Sequence, residues 1–89
     1  MPKLMIPTPL RGPTGGEATV DVAGATVRAC IAAADERFPG FGAQILTPSG
    51  EPHRFVRLFV NGASIPASGL DRPVGEKDEI AVLAAIAGG

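Results

Sequence analysis

Apolar and polar residues alternate over Glu17–Val22. Ala18, Val20 and Val22 share one face, and Glu17, Thr19 and Asp21 share the other. This period of two predicts a half-buried strand. The same pattern recurs at Phe55–Val60, with Val56, Leu58 and Val60 on one side and Phe55, Arg57 and Phe59 on the other, and again at Glu79–Leu83, with Ile80 and Val82 inward. The short apolar run Lys3–Ile6 predicts a further strand. It should end or bulge at Pro7, because proline has no N–H to give a ladder. Between Thr26 and Phe38 the period changes. Val27, Cys30, Ile31, Ala34 and Phe38 recur at helical spacing behind Thr26, a natural N-cap, and Pro39-Gly40 ends the stripe.

Turn chemistry supplies the connections. Leu10–Gly16 is rich in Gly and Pro, Asn61-Gly62 is a tight-turn signal before a short edge strand near Ile65, and Ser68–Pro73 and Gly75–Asp78 are further turns. Phe41–Pro52 shows no clear period and reads as an irregular surface crossing. The expected order is therefore strand, strand, helix, strand, short strand, strand. One amphipathic helix on a mixed sheet of four to five strands, an α+β fold, buries every apolar face. The first and last strands should lie parallel, side by side. The expected core is Ile6, Val20, Val22, Val27, Ile31, Ala34, Val56, Leu58, Val60, Ile80 and Val82.

At 89 residues the chain is one domain. The expected division is a folded body, 1–83, and a flexible C-terminal tail, 84–89. The apolar fraction is 45 %, but 14 of those residues are alanine, which leaves a small core and no room for a deep catalytic cavity. Eight basic residues against nine acidic ones give no surplus to neutralise phosphates, so a nucleic-acid partner is not expected. A single cysteine and a single histidine exclude an internal disulfide and a structural zinc site. With no membrane-length apolar run and no signal-peptide pattern, the expectation is a cytoplasmic protein that is monomeric when free.

Most carboxylates fall in turns or on polar faces, where solvated charge is the simplest role. His53 stands alone in a loop, with no ligand expected, and Cys30 sits on the apolar helix stripe as an inert thiol. Gly12, Gly15 and Gly16 are not followed by the Lys-Ser/Thr of a phosphate loop. The C-terminus, Ile86-Ala87-Gly88-Gly89, remains. At average glycine usage a terminal Gly-Gly arises by chance in only ~0.5 % of chains. Either it frays without function or the Gly89 carboxylate is the reactive group. On the second reading, glycine permits passage through a narrow channel, and the residues leading to it reach ~13–14 Å beyond the sheet.

This element order with a C-terminal Gly-Gly resembles the β-grasp (ubiquitin-like) sulfur carriers of the ThiS/MoaD family. Leu58-Phe59-Val60-Asn61-Gly62, Gly75-Glu76-Lys77-Asp78-Glu79-Ile80 and Val82–Gly89 carry the likeness. Ala84 and Ala85 stand where the family's tail often has proline. Ile6-Pro7-Thr8, Leu10-Arg11, Thr14-Gly15-Gly16 and His53-Arg54-Phe55-Val56 are most similar to the CysO-type carriers of cysteine biosynthesis.

The resemblance implies that the chain is a co-substrate and not an enzyme. A ThiF/MoeB-like adenylyltransferase/sulfurtransferase, using its own ATP and Mg²⁺, would activate the Gly89 carboxylate, and sulfur would then replace AMP to leave a thiocarboxylate. This chain would bind no cofactor. The sulfur acceptor would be a cysteine synthase-like enzyme. Alternatives are the molybdopterin synthase large subunit or a thiamine or tRNA-thiolation pathway. Outside this class stand a ubiquitin-like modifier joined to lysines and a non-covalent β-grasp module. The expected docking residues are Phe55, Arg57, Phe59 and Leu83 on the face opposite the helix, with Ile86 and Ala87 of the tail, unless the Phe41–Pro52 crossing folds over that face.

Overall fold

The computed structural model describes residues 1–7, 12 and 15–84. Five strands form one sheet: β1 (Lys3–Met5), β2 (Thr19–Asp21), β3 (Val56–Val60), β4 (Ala63–Ile65) and β5 (Glu79–Ala84). Their spatial order is β2-β1-β5-β3-β4. β1 pairs antiparallel with β2 and parallel with β5, so the first and last strands are neighbours as expected. β5 runs to Ala84, one residue past its expected end, where it still pairs with Val56. The β1 ladder ends before Pro7, with a last bond from Ile6 N–H to the Ala18 carbonyl at 2.7 Å. Residues 8–11 lie outside the described residues.

Helix α1 (Val27–Arg37) begins where Thr26 was expected to cap it: the Thr26 hydroxyl accepts the Ala29 N–H at 3.0 Å. Two further first-turn N–H groups, those of Val27 and Arg28, donate to the carbonyls of Arg72 and Leu70. The helix start thereby holds the loop before β5, and its free donors are satisfied. Gly24 lets the incoming chain lie against this first turn, since a Cβ there would stand 2.7 Å from the Cys30 nitrogen. Asn61 and Gly62 both take positive φ, 51° and 84°, between the paired residues Val60 and Ala63. That is the two-residue hairpin loop whose twist matches the flanking strands.

All eleven expected core residues are buried, and Leu4, Cys30, Phe41, Ile45, Ile65 and Leu70 join them. Phe41 and Ile45 correct the expected irregular crossing. Residues Phe41–Ile45 form a second, five-residue helix, α2, and both side chains are 0 % exposed. Gly40 turns the chain with φ 95°, and the Asp35 carboxylate accepts the Gly42 N–H at 2.9 Å. Such a helix is too short to display a period, but its i, i+4 apolar pair closes the core beside α1. Ala18, expected inward, is exposed just before β2. Among the described residues no helix is long and apolar enough to cross a membrane.

Candidate functional site

β5 is the middle strand of the sheet and leads directly to the C-terminal segment. Gly88, Gly89, Ile86 and Ala87, expected to carry the chemistry and part of the docking, lie outside the described residues. The described part of the site is therefore the platform from which residues 85–89 depart.

Strand register defines that platform. Met5 and Phe59 lie opposite Ala81 from its two sides, and Arg57 lies opposite Leu83. Alternation sends Ile80 and Val82 into the core, so Ala81 and Leu83 face the other way with Met5, Arg57 and Phe59. Phe59 and Leu83 are diagonal neighbours, within reach for an aromatic side chain. Leu83 is 50 % exposed and Met5 39 %, while Phe59 is half-buried. A shallow depression of about 300 Å³ beside them is lined by Met5, Pro7, Thr19, Ala81 and Leu83, among others.

The expected cluster is thus partly assembled. Arg57, Phe59 and Leu83 come together, but Phe55 does not sit on the strand face. It precedes β3 in a turn and stacks on His53, with ring centroids 5.2 Å apart and planes 13° apart. The alternation at Phe55 continues one residue beyond the ladder, which begins at Val56. His53, expected to be a loop histidine and not a ligand, is fixed in place: its Nε2–H donates to the Ala43 carbonyl at 3.0 Å. Met5 was missed, although alternation about the inward Leu4 places it on this face. The Phe41–Pro52 crossing does not cover the platform, since α2 packs on α1 and its apolar residues enter the core.

The opposite end of the sheet is polar. Lys3 lies in register with both Asp21 and Glu79 and forms an ion pair with Asp21 at 3.2 Å. The Gly75 N–H and the Asn61 side-chain amide, with Arg72 nearby, hold the Asp78 carboxyl below the usual carboxylate range. Burial pushes the Cys30 thiol up, which suits packing and not nucleophilic chemistry. Among the described residues no group of three or more His, Cys, Asp or Glu could hold a metal ion.

Known proteins share this arrangement. The ThiS family profile matches residues 4–89. The sulfur carrier protein CysO of Mycobacterium tuberculosis is 37 % identical over 87 residues, which cover 94 % of each chain. A crystal structure of the BexX/CysO complex of Amycolatopsis orientalis contains a chain 36 % identical to this one, with a TM-score of 0.91 and full coverage of both. The crystal structure of Mycobacterium tuberculosis CysO superposes with a TM-score of 0.88 at 31 % identity, covering 97 % of this chain and 100 % of that one. The chain belongs to the ThiS family.

Proposed function

We propose that this chain is a sulfur carrier whose reactive group is the C-terminal carboxylate of Gly89, and that its sulfur is used most directly in cysteine synthesis. The carrying observation is the end-to-end match, through Gly89, to a family whose relatives are named sulfur carrier proteins. A ThiF/MoeB-like activating enzyme supplies ATP and Mg²⁺. A Gly89 carboxylate oxygen attacks the α-phosphorus of ATP and displaces pyrophosphate, leaving an acyl-adenylate. Hydrosulfide-level sulfur then attacks the acyl carbon, the acyl–phosphate bond breaks with departure of AMP, and loss of the S–H proton leaves a thiocarboxylate. Tethering keeps that sulfur at high effective concentration in the acceptor's site.

The fold contributes positioning. β5 is held by β1 at Glu79–Ala81 and by β3 as far as Ala84, so the residues that follow leave from a paired strand end. The exposed Met5 and Leu83, with Phe59, form the docking platform beside that exit. Gly88 and Gly89 supply the absence of side chains that a narrow active-site channel requires. Phe55, stacked on His53 before β3, is the outlying member of the docking set, and Ile86 and Ala87 would enter the channel ahead of the glycines.

Intact-mass measurement after incubation with the cognate activating enzyme, ATP and a sulfur source tests this reading. The expected result is a mass gain equal to one oxygen-to-sulfur exchange, located at the C-terminus. Conjugation to lysine side chains would favour the ubiquitin-like modifier instead, and an unchanged mass would overturn the carrier reading.

A further inference from the structure

Two arginines at the tail end of the sheet have no partner among the described residues. Arg57 lies on β3 opposite Leu83, and Arg54 precedes the same strand. Both are exposed, and among the described residues neither side chain has an ion pair or a hydrogen bond. Of the chain's other described cations, Arg72 and Lys77 stand near Asp78 at the opposite end of the sheet, and the rest are engaged. Lys3 pairs with Asp21, and Arg28 pairs with Asp71 at 3.0 Å and donates to the Gly50 carbonyl. Arg37 lies over the Phe38 ring.

The carboxylates are distributed the other way. Asp21, Glu76, Asp78 and Glu79 gather at the start of β5 together with Lys3, Arg72 and Lys77, while Glu17 lies at the tail end on β2's side, three strands from Arg57, and Glu51 lies in the loop three residues before Arg54 with no ion pair to it among the described residues. A chain of net charge −1 therefore presents a cationic rim beside its exit strand. That rim is continuous with the apolar platform of Leu83 and Phe59.

We propose that Arg54 and Arg57 dock against a carboxylate-lined surface of the activating enzyme, steering the tail end toward it and fixing which way the sheet lies. This rests on the carrier reading above. Unpaired charge beside an apolar patch favours a partner of opposite sign, and rim charges of this kind act mainly on the association rate. Glu79, the acid on the neighbouring strand β5, lies four residues from Leu83, ~13 Å along the sheet, and the cations at its end stand among carboxylates, so the unpaired arginines mark the tail end alone.

The experiment compares three proteins in stopped-flow association with the cognate activating enzyme: wild type, Arg54→Glu/Arg57→Glu, and Lys77→Glu. Lys77 is the control, an exposed cation in the turn at the opposite end of the sheet. The double variant should associate about 10-fold or more slowly at low salt. The difference should shrink toward nothing near 1 M salt, where screening acts within ~3 Å. Lys77→Glu should associate like wild type. Lysine substitutions at the facing partner carboxylates should restore the double variant.

Equal rates for all three proteins, an equal loss in Lys77→Glu, or a loss independent of salt would each overturn the proposal. Thermal melts of the double variant confirm folding, and Arg54→Gln/Arg57→Gln should show a smaller loss of the same salt dependence. Wild-type conversion to thiocarboxylate is followed in parallel. Its failure rejects the carrier reading, whereas normal conversion with unchanged association of the double variant rejects only the pairing with acids.

Discussion

Asn61 and Asp78 join the β3–β4 hairpin to the start of β5. The Asn61 side-chain amide donates to the Asp78 carboxylate at 3.0 Å, and its carbonyl oxygen accepts the Glu79 N–H at 2.9 Å. Asp78 also accepts the Gly75 N–H at 2.8 Å, so one carboxylate serves two turns. The hairpin loop places Asn61 at positive φ, a conformation asparagine tolerates better than most residues.

Acid sensitivity follows from this pairing. Asp78's folded pKa is lowered, first by the Gly75 N–H, then by the Asn61 amide. As pH falls, the unfolded chain therefore takes up the proton before the folded one does. The contribution is fully present above the unfolded carboxylate value, ~3.9, and is lost as pH falls through the folded value. Thermal melts of wild type and Asp78→Asn between neutral pH and ~pH 3 should show wild type more stable at neutral pH, with the gap closing in acid. A gap unchanged across that range would remove Asp78 from the pH dependence.

Gly24→Ala tests the approach of the β2–α1 loop to the helix. The added Cβ would stand 2.7 Å from the Cys30 nitrogen and 2.9 Å from the Ala29 carbonyl carbon, both backbone atoms that cannot swing aside. The expected cost is that of an overpacked core, about 1–3 kcal/mol by denaturant titration. Unchanged stability would mean that the loop relaxes without loss.

Phe41→Ala should cost about 3–5 kcal/mol, because the ring is fully buried in the core beneath α2. Phe55→Ala should cost about 1 kcal/mol or less, since Phe55 is 42 % exposed and its described ring contact is the stack on His53. Urea unfolding of the two variants side by side checks the order. Equal costs would contradict the placement of Phe41.

These two phenylalanines mark where the sequence was readable. Val56, Leu58, Val60, Ile80 and Val82 alternate within paired strands, and Val27, Ile31 and Ala34 repeat on a long helix, so period alone placed them. The five residues of α2 complete little more than one turn, and only the tertiary position of Phe41 and Ile45 reveals their burial. At Phe55 the opposite happens: alternation continues past the first ladder residue, while the ring turns to His53. The outward cluster on the sheet face was legible in Arg57, Phe59 and Leu83, but Met5 required knowledge that β1 pairs with β5 at Ala81. The His53 bond to Ala43 depends on the short helix and left no pattern in the sequence.

Removing Gly89 should abolish conversion to the thiocarboxylate, with folding unchanged. The deletion draws the carboxylate back ~3.3–3.6 Å along an extended chain. Displacements of ~1 Å at a reacting centre can cost on the order of 100-fold. Gly88→Val should slow conversion through bulk in the channel. Mass spectrometry of both variants after timed incubation with the activating enzyme measures the effect. Wild-type conversion of the deletion variant would remove Gly89 from the chemistry.

Leu83→Ala and Phe59→Ala should weaken binding to the activating enzyme in different ways. Leu83 is half exposed at the last turn of the ladder before the tail, so its side chain is free to enter a partner pocket. Truncation should raise Kd by roughly 10-fold, about 1–2 kcal/mol, while the melting temperature stays close to wild type. Phe59 is half-buried, in register with Ala81 and diagonal to Leu83, so the same substitution removes contacts within the sheet as well. It should cost about 2 kcal/mol in affinity and also lower stability measurably. Binding titrations paired with melts separate the two effects. If Leu83→Ala binds like wild type, the platform beside the exit strand is not the docking surface. If Phe59→Ala loses stability but no affinity, the aromatic supports the sheet and the contact rests on Leu83 and Met5.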